Sequence, residues 1–213
     1  WRHFAAARPN AAHRALAALE AGARVRLIIT QNVDRLHQRA GSRHVIDLHG
    51  RLDRVECLQC GCIETRDAFQ QRLDALNGEW TAHVLRIAPD GDADLEAADY
   101  QRFRVPACAN CGGIMKPGVV FYGGTLDPAT RSAARDAVQV ADGLLVVGSS
   151  LMVASAFSLV RRATEKGTPV AAINRGRTRA DDLLDAKWSL DGGAVLQQLQ
   201  RELSAVPTRP GSA

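Results

Sequence analysis

The chain has 213 residues, of which 46% are hydrophobic and 23% are charged, and its formal net charge at pH 7 is +4. This composition excludes a disordered chain and predicts a globular protein with one large domain or with a large and a small one. The positive charge comes from arginines spread along the chain, so it favours an anionic ligand only mildly and makes nucleic acid an unexpected partner.

The first predicted elements are a helix and a buried strand. Apolar residues recur at helical spacing over residues 9–20, with Pro9 near the first turn and Gly22 after the end. The short apolar run 25–29 is typical of a parallel strand that is covered on both faces. No apolar run reaches the roughly 20 residues that cross a bilayer, so we expect no membrane-spanning segment, and no signal-peptide pattern is present.

Polar residues follow this strand. Open α/β sheets bind ligands beyond the carboxyl ends of their strands, and the next residues are Thr30, Gln31, Asn32, Val33 and Asp34. The two amides offer donors and acceptors, and the carboxylate can accept from a ribose hydroxyl or a carboxamide. The same carboxylate could instead cap a short helix over 35–40.

His49 stands between Leu48 and Gly50 at the end of another short apolar run. Its imidazole can take up a proton near neutral pH, as a general base must. A buried histidine that hydrogen-bonds a backbone carbonyl is the usual explanation for a single histidine. The polar strand end nearby favours the functional interpretation.

Four of the five cysteines form two Cys-x-x-Cys pairs, Cys57/Cys60 and Cys108/Cys111. Each pair can present two thiolates from one turn, and two such turns complete a tetrahedral Zn²⁺ site with no position left for a reactive water. The spacing therefore predicts a structural zinc ion, and Cys62 is interpreted as a spare thiol.

The segment 51–116 is polar and rich in turns, with a predicted helix over 65–76 and a turn signal over 88–92. It has little apolar surface of its own to bury, so a metal would have to hold it together. We therefore predict a small zinc-binding module inserted into a larger domain.

Strands and helices then alternate to the end of the chain. The predicted elements are a strand over 119–122, a helix over 127–141, a strand over 143–147, a helix ending at Lys166, a strand over 169–173 and a helix over 193–203. Two more strands end in small or polar residues, Gly148-Ser149-Ser150 and Asn174-Arg175-Gly176. This pattern predicts an α/β fold with a doubly wound parallel sheet that holds a nucleotide-sized ligand across the strand tips.

Taken together, these motifs resemble the sirtuin family of NAD-dependent protein-lysine deacylases. The matching segments, in family order, are 30–37 with Ala40-Gly41, Leu48-His49-Gly50, the two cysteine pairs, 116–123, Gly148-Ser149-Ser150-Leu151-x-Val153 and Ile173-Asn174. The segments 88–92, 105–106 and 178–183 resemble the class II branch, which includes a mitochondrial lipoamidase and ADP-ribosyltransferase.

The resemblance implies a role for each matching residue. His49 would be the general base that activates a ribose hydroxyl of NAD. The cofactor contacts would be Gln31, Asn32, Val33 and Asp34 at the nicotinamide ribose and carboxamide, Gly148, Ser149 and Ser150 at the phosphates and the second ribose, and Asn174, Arg175, Gly176 and Gly192 at the adenosine. Residues 119–122 and 151–153 would flank an acyl-lysine peptide that adds as a strand.

Two features depart from the family pattern. The opening strand with its Gly-rich turn and the mobile loop after it are not found in this sequence, so we expect this exact chain to bind NAD weakly and possess little or no turnover. Gly124 replaces an acidic residue on the peptide side. The predicted organisation is a discontinuous Rossmann-like NAD-binding domain over 1–50 and 117–206, a zinc module over 51–116 and a flexible tail over 207–213.

Other functions stay open. The same pocket could transfer ADP-ribose to a protein side chain, or the chain could be an inactive fragment of such an enzyme. A zinc ribbon that binds nucleic acid is disfavoured, because no cluster of basic residues interleaved with aromatics lies between the cysteine pairs. We expect a monomer located in a bacterial cytoplasm, or in the mitochondrial matrix if the source is eukaryotic.

Overall fold

A computed structural model describes residues 1–78, 83–87, 93–96 and 101–206. It divides into a small unit, residues 1–7 and 50–119, and a large unit, residues 8–49 and 120–213. The turn predicted over 88–92 and the tail predicted over 207–213 lie outside the described residues. The domain boundaries drawn from the sequence stay a prediction.

The described helices, in chain order, are α1 (Arg2–Ala6), α2 (Ala11–Ala21), α3 (Leu36–Arg39), α4 (Arg66–Leu76), α5 (Pro128–Gln139), α6 (Ala154–Glu165) and α7 (Gly192–Ser204), with one 3₁₀ turn, Asp181–Leu183. The described strands are β1 (Ile28–Thr30), β2 (Val45–Asp47), β3 (Gly50–Cys57), β4 (Ile63–Thr65), β5 (His83–Ile87), β6 (Ala93–Glu96), β7 (Met115–Val119), β8 (Leu144–Val147), β9 (Val170–Ile173) and β10 (Ala186–Trp188). Among these helices, none is both long enough and apolar enough to span a bilayer.

The large unit contains the parallel strands. β1 pairs with β2, and β8, β9 and β10 form a second sheet in the order β10-β9-β8, with every pairing parallel. Because the connections between parallel neighbours must cross over, a helix or, between β9 and β10, the 3₁₀ turn lies between them in sequence. The predicted α/β class with parallel strands is confirmed.

Two apolar clusters stabilise the large unit. One lies between α5, α6 and the second parallel sheet, where Ala134, Val160 and Val170 are almost completely buried. The other joins α2 and α7 through Leu19 and Leu196. The helices predicted over 9–20, 127–141 and 193–203 are confirmed, because their apolar stripes are the faces that these clusters bury.

The small unit is antiparallel. β3 lies between β4 and β7, and β5 pairs with β6. The helix predicted over 65–76 is confirmed as α4, whose first turn is capped by the Thr65 hydroxyl accepting from the Ala68 amide at 3.2 Å. Its inner face packs Phe69 and Leu73 against Val55.

The strand predicted over 119–122 is wrong in position. The observed strand β7 ends at Val119, where the prediction began, because Met115–Val119 is the segment that pairs with β3. Phe121 and Tyr122, which the prediction placed in the strand, are 56% and 89% exposed. Only Val119 of this apolar run belongs to the buried core, and the end of the run is an exposed surface.

Candidate active site and metal centre

The loop after β1 is shaped by its own polar side chains. The Thr30 hydroxyl accepts from the Asn32 amide at 3.1 Å, and the Asp34 carboxylate accepts from the Leu36 amide at 2.9 Å. Asp34 precedes the N-cap residue Arg35, so the second bond satisfies the first backbone N–H of α3 without Asp34 being the N-cap. The side-chain amide of Asn32 is exposed and makes no hydrogen bond within the described part of the chain.

His49 follows β2 and lies at the same sheet end as this loop. Its Nε2 is 2.9 Å from the Ser155 hydroxyl oxygen, and its ring also hydrogen-bonds the backbone of Gln31. Burial lowers the pKa of His49 below 6.5, and the bond to the Gln31 backbone opposes that effect. The ring is therefore neutral at neutral pH and can accept a proton.

The tips of β1 and β8 are linked directly. Gln31 Nε2 donates to the Ser149 hydroxyl at 2.8 Å, and the same oxygen accepts from the Leu151 amide at 3.1 Å. Gly148 has a φ of +60°, and no atom lies within 4 Å of the position that a Cβ would occupy. A side chain at Gly148 would thus strain the backbone, and the surrounding space is open to a ligand.

The residues predicted at the adenosine end are held by contacts of their own. Asn174 is buried, and its amide donates to the Arg175 carbonyl at 3.1 Å, so it shapes its own loop. The Arg175 guanidinium lies 3.2 Å from the Asp191 carboxylate in an exposed ion pair. A Cβ at Gly192 would come within 2.9 Å of Val147 Cγ1, which accounts for glycine there by packing.

The structure thus brings together only part of the predicted set. Gln31, His49 and Ser149 are joined by hydrogen bonds. Asn174 instead bonds within its own loop, and the Arg175 guanidinium pairs with Asp191. The sequence missed Ser155, because it lies 106 positions from His49 and in no recognisable motif. Only the fold places it beside the imidazole.

The four predicted zinc ligands converge in the small unit. The Sγ atoms of Cys57, Cys60, Cys108 and Cys111 all lie within 4.8 Å of one another, and the two closest pairs are 3.5 and 3.7 Å apart. Four sulfurs bound tetrahedrally at ~2.3 Å from zinc would be about 3.8 Å apart, so the cluster fits the ion.

The cluster favours a thiolate at Cys60, whereas the side-chain hydrogen bond with Cys60 raises the pKa of Cys111 to about 12. A backbone hydrogen bond from Cys62, helped by the Cys111 and Asn110 side chains, lowers the pKa of Cys60 to about 6. Zinc binds the deprotonated form, so these donors assist binding. Cys62 is not among the four clustered cysteines, and its interpretation as a spare thiol stays a prediction.

Comparisons with known proteins agree with this site. Residues 2–155 match the model of the Sir2 family. A protein named NAD-dependent protein deacetylase 2 from Bradyrhizobium diazoefficiens is 56% identical over 187 residues, which are 88% of this chain and 68% of the relative. The chain belongs to the Sir2 family.

Further relatives extend the match over most of this Sir2-family chain. An NAD-dependent protein deacetylase from Bordetella bronchiseptica is 53% identical over 93% of this chain and 73% of its own length. A solved structure of Sir2 bound to acetylated peptide superposes with a TM-score of 0.78 at 29% identity, covering 96% of this chain and 74% of the other. The resemblance found in the sequence is confirmed at the level of the family, and the class II branch stays a prediction.

Proposed function

We propose that this Sir2-family protein removes acyl groups from protein lysine side chains in an NAD-dependent reaction that releases nicotinamide and 2′-O-acyl-ADP-ribose. The relatives named NAD-dependent protein deacetylases support NAD-dependent lysine deacylation. The observation that carries the proposal is the placement of a neutral His49 beside the linked tips of β1 and β8.

The proposed roles follow from the chemistry of these groups. NAD, when bound, would supply a ribose whose anomeric carbon exchanges its bond to nicotinamide for a bond to the acyl carbonyl oxygen. The 2′-hydroxyl of that ribose must then lose a proton to attack the acyl carbon. Nε2 of His49 would take that proton. The side-chain amide of Asn32, which has no partner among the described residues, and the backbone of Gly148, which faces open space, would contact the cofactor. The hydrogen bond between Gln31 and Ser149 would hold the two strand tips at a fixed distance from each other.

Exposed apolar side chains support an extended peptide substrate. Phe121 and Tyr122 lie in the loop after β7, and Met152 and Val153 lie in the loop before α6. All four side chains are more than 40% exposed. The neighbouring Sir2 structure contains an acetylated peptide. We propose that an acyl-lysine peptide lies between these two loops and adds its backbone as a strand.

The test is a single-turnover assay with excess protein, saturating NAD and an acetyl-lysine peptide, which detects product even where NAD binds weakly. We expect deacetylated peptide and nicotinamide in equal amounts. His49→Ala should slow this turnover by ~10²–10⁴-fold and leave NAD binding nearly unchanged, because only the base is lost. His44→Ala, an exposed histidine outside the site, is the matched control.

Equal rates for the wild type and His49→Ala would contradict the role of His49. Deacetylation without NAD would contradict the function. No product at any protein concentration would support the alternative of an inactive fragment. Transfer of labelled ADP-ribose to protein without loss of the acyl group would support the alternative activity. A panel of acyl-lysine peptides would then define the preferred acyl group.

A further inference from the structure

Ser155 is the second residue of α6, and its hydroxyl is the only side-chain group within the described residues that hydrogen-bonds the His49 ring. The other ring contact is with the backbone of Gln31. The imidazole is thus held from two sides, by a strand tip and by a helix start.

These two contacts together select one tautomer of the neutral ring. The contact with the Gln31 backbone raises the pKa of His49, as a carbonyl that accepts a hydrogen bond from the ring does. Because Nε2 faces Ser155, the nitrogen that carries hydrogen is Nδ1. The lone pair is then on Nε2, where the Ser155 hydroxyl can donate to it.

We propose that Ser155 is a positioning residue that holds the His49 ring with the Nε2 lone pair facing the site of proton transfer. This inference rests on the proposed function for its catalytic meaning. The Ser155–His49 contact itself is a property of the folded chain and can be measured without NAD.

The location of Ser155 suits such a role. Its helix is anchored by Ala156, Leu159 and Val160, which are 7%, 8% and 1% exposed. A hydroxyl fixed on a buried helix restricts the ring more strongly than one on a mobile loop. When a ribose hydroxyl binds at Nε2, it would replace the Ser155 hydroxyl as the donor to the lone pair. The ring would then already have the orientation that proton transfer requires.

Ser158 provides a matched control. It lies one turn further along α6, and both serines line the same cavity of about 340 Å³. The Ser158 hydroxyl donates to the Ser155 carbonyl at 2.7 Å and is not bonded to His49. Removing either hydroxyl enlarges this same cavity, but only Ser155→Ala also removes the contact with the imidazole of His49.

The deciding experiment is nitrogen NMR of the chain labelled in histidine, with His49→Gln used to assign the signals. In the wild type above the pKa of His49, we expect one protonated and one unprotonated ring nitrogen. In Ser155→Ala the two signals should move towards each other as the second tautomer gains population. Ser158→Ala should match the wild type, and Ser155→Thr should restore the wild-type pattern.

Turnover supplies the second readout. Ser155→Ala should lower kcat roughly tenfold with KM for NAD unchanged, less than the ~10²–10⁴-fold loss expected without the base. If Ser155→Ala does not fold, Ser155→Cys replaces it, because a thiol is a weak donor. Unchanged His49 signals in Ser155→Ala, or equal changes in Ser158→Ala, would overturn the inference even in an active enzyme. Loss of activity in every variant, wild type included, would count against the proposed function alone.

Discussion

The interior of each unit is stabilised in a different way. In the large unit, the described core contains two clusters of aliphatic and alanine side chains from helices and parallel strands. In the small unit, the described core consists of six buried residues, and two of these, Cys57 and Cys108, belong to the cysteine cluster that could hold zinc. This cluster is therefore part of the core of the small unit.

The difference means that the fold of the large unit, which carries His49, and the fold of the small unit depend on different interactions. The large unit buries enough apolar surface to place the polar tips around His49 without a metal ion. In the small unit, zinc bound at the four cysteines would replace missing apolar area with metal–sulfur bonds, as in other small modules. Zinc should therefore matter for the fold of one unit, whereas hydrophobic packing determines the fold of the other.

Zinc removal is the strongest test of this contrast. Structural zinc sites contribute an apparent ~10–16 kcal/mol in small peptides, far more than the other contacts of this unit. Chelation should abolish amide protection over residues 50–78 and 101–119 and leave it in α2, α6 and α7. Hydrogen exchange with and without the chelator measures this.

Two cysteine variants sharpen the result. Cys60→Ser should lose the bound zinc, whereas Cys62→Ser should keep one ion per chain, because Cys62 lies outside the ligand cluster. Equal loss of protection in both units after chelation would show that they do not differ in this way. Unchanged protection everywhere would refute a structural role for the ion.

In both units, the sequence predicted some elements better than others. Helices of the large unit have apolar stripes at regular spacing, and the cysteine pairs have a spacing that only a metal explains, so both could be found locally. β3 contains alternating charges and β10 has a lysine at its centre. Such strands are defined by the partner they pair with, and that information is not local.

The site was also predictable only in part. His49, Gln31 and Ser149 stand at strand ends, which the strand pattern locates. The contact between His49 and Ser155 joins residues 106 apart, and no pattern near either residue indicates it. The strand predicted over 119–122 was wrong in position, because an apolar run has the same composition whether it is buried or exposed, and Phe121 is exposed.

Truncation of a core side chain tests whether hydrophobic packing stabilises the large unit. Leu196 of α7 is completely buried against Leu19 of α2 and Ile173 of β9. Leu196→Ala should lower the free energy of unfolding of the large unit by ~2–5 kcal/mol, because it removes buried methyl groups and leaves a cavity. Urea unfolding of the zinc-loaded protein, followed by amide protection in α2 and α7, measures it.

The control is Leu190→Ala, since Leu190 is 53% exposed and should change the stability by less than ~0.5 kcal/mol. Zinc stoichiometry should stay at one ion in both variants. If Leu196→Ala released zinc without lowering the protection of α2 and α7, the two kinds of stabilisation would not be separate.

The smallest expected effect concerns a pair of histidines in the large unit. The rings of His13 and His37 lie 4.6 Å apart, and His37 Nδ1 is buried without a hydrogen-bond partner in the described structure. Burial and the neighbouring His13 lower the pKa of His37 from 6.5 to about 4, although Asp34 and Asp47 oppose this. Between these two values the unfolded chain binds more protons than the folded one, so stability falls as the pH falls through this window.

We expect a loss on the order of 2 kcal/mol between about pH 6.5 and pH 4, after allowance for the partial exposure of the ring. His37→Gln should flatten this slope, whereas His44→Gln, on an exposed side chain, should keep it. Urea unfolding of the large unit at several pH values measures both. Because zinc thiolates are also protonated at low pH, the readout must be the amides of α2 and α3. An identical slope in His37→Gln would show that the histidine pair does not couple the fold to pH.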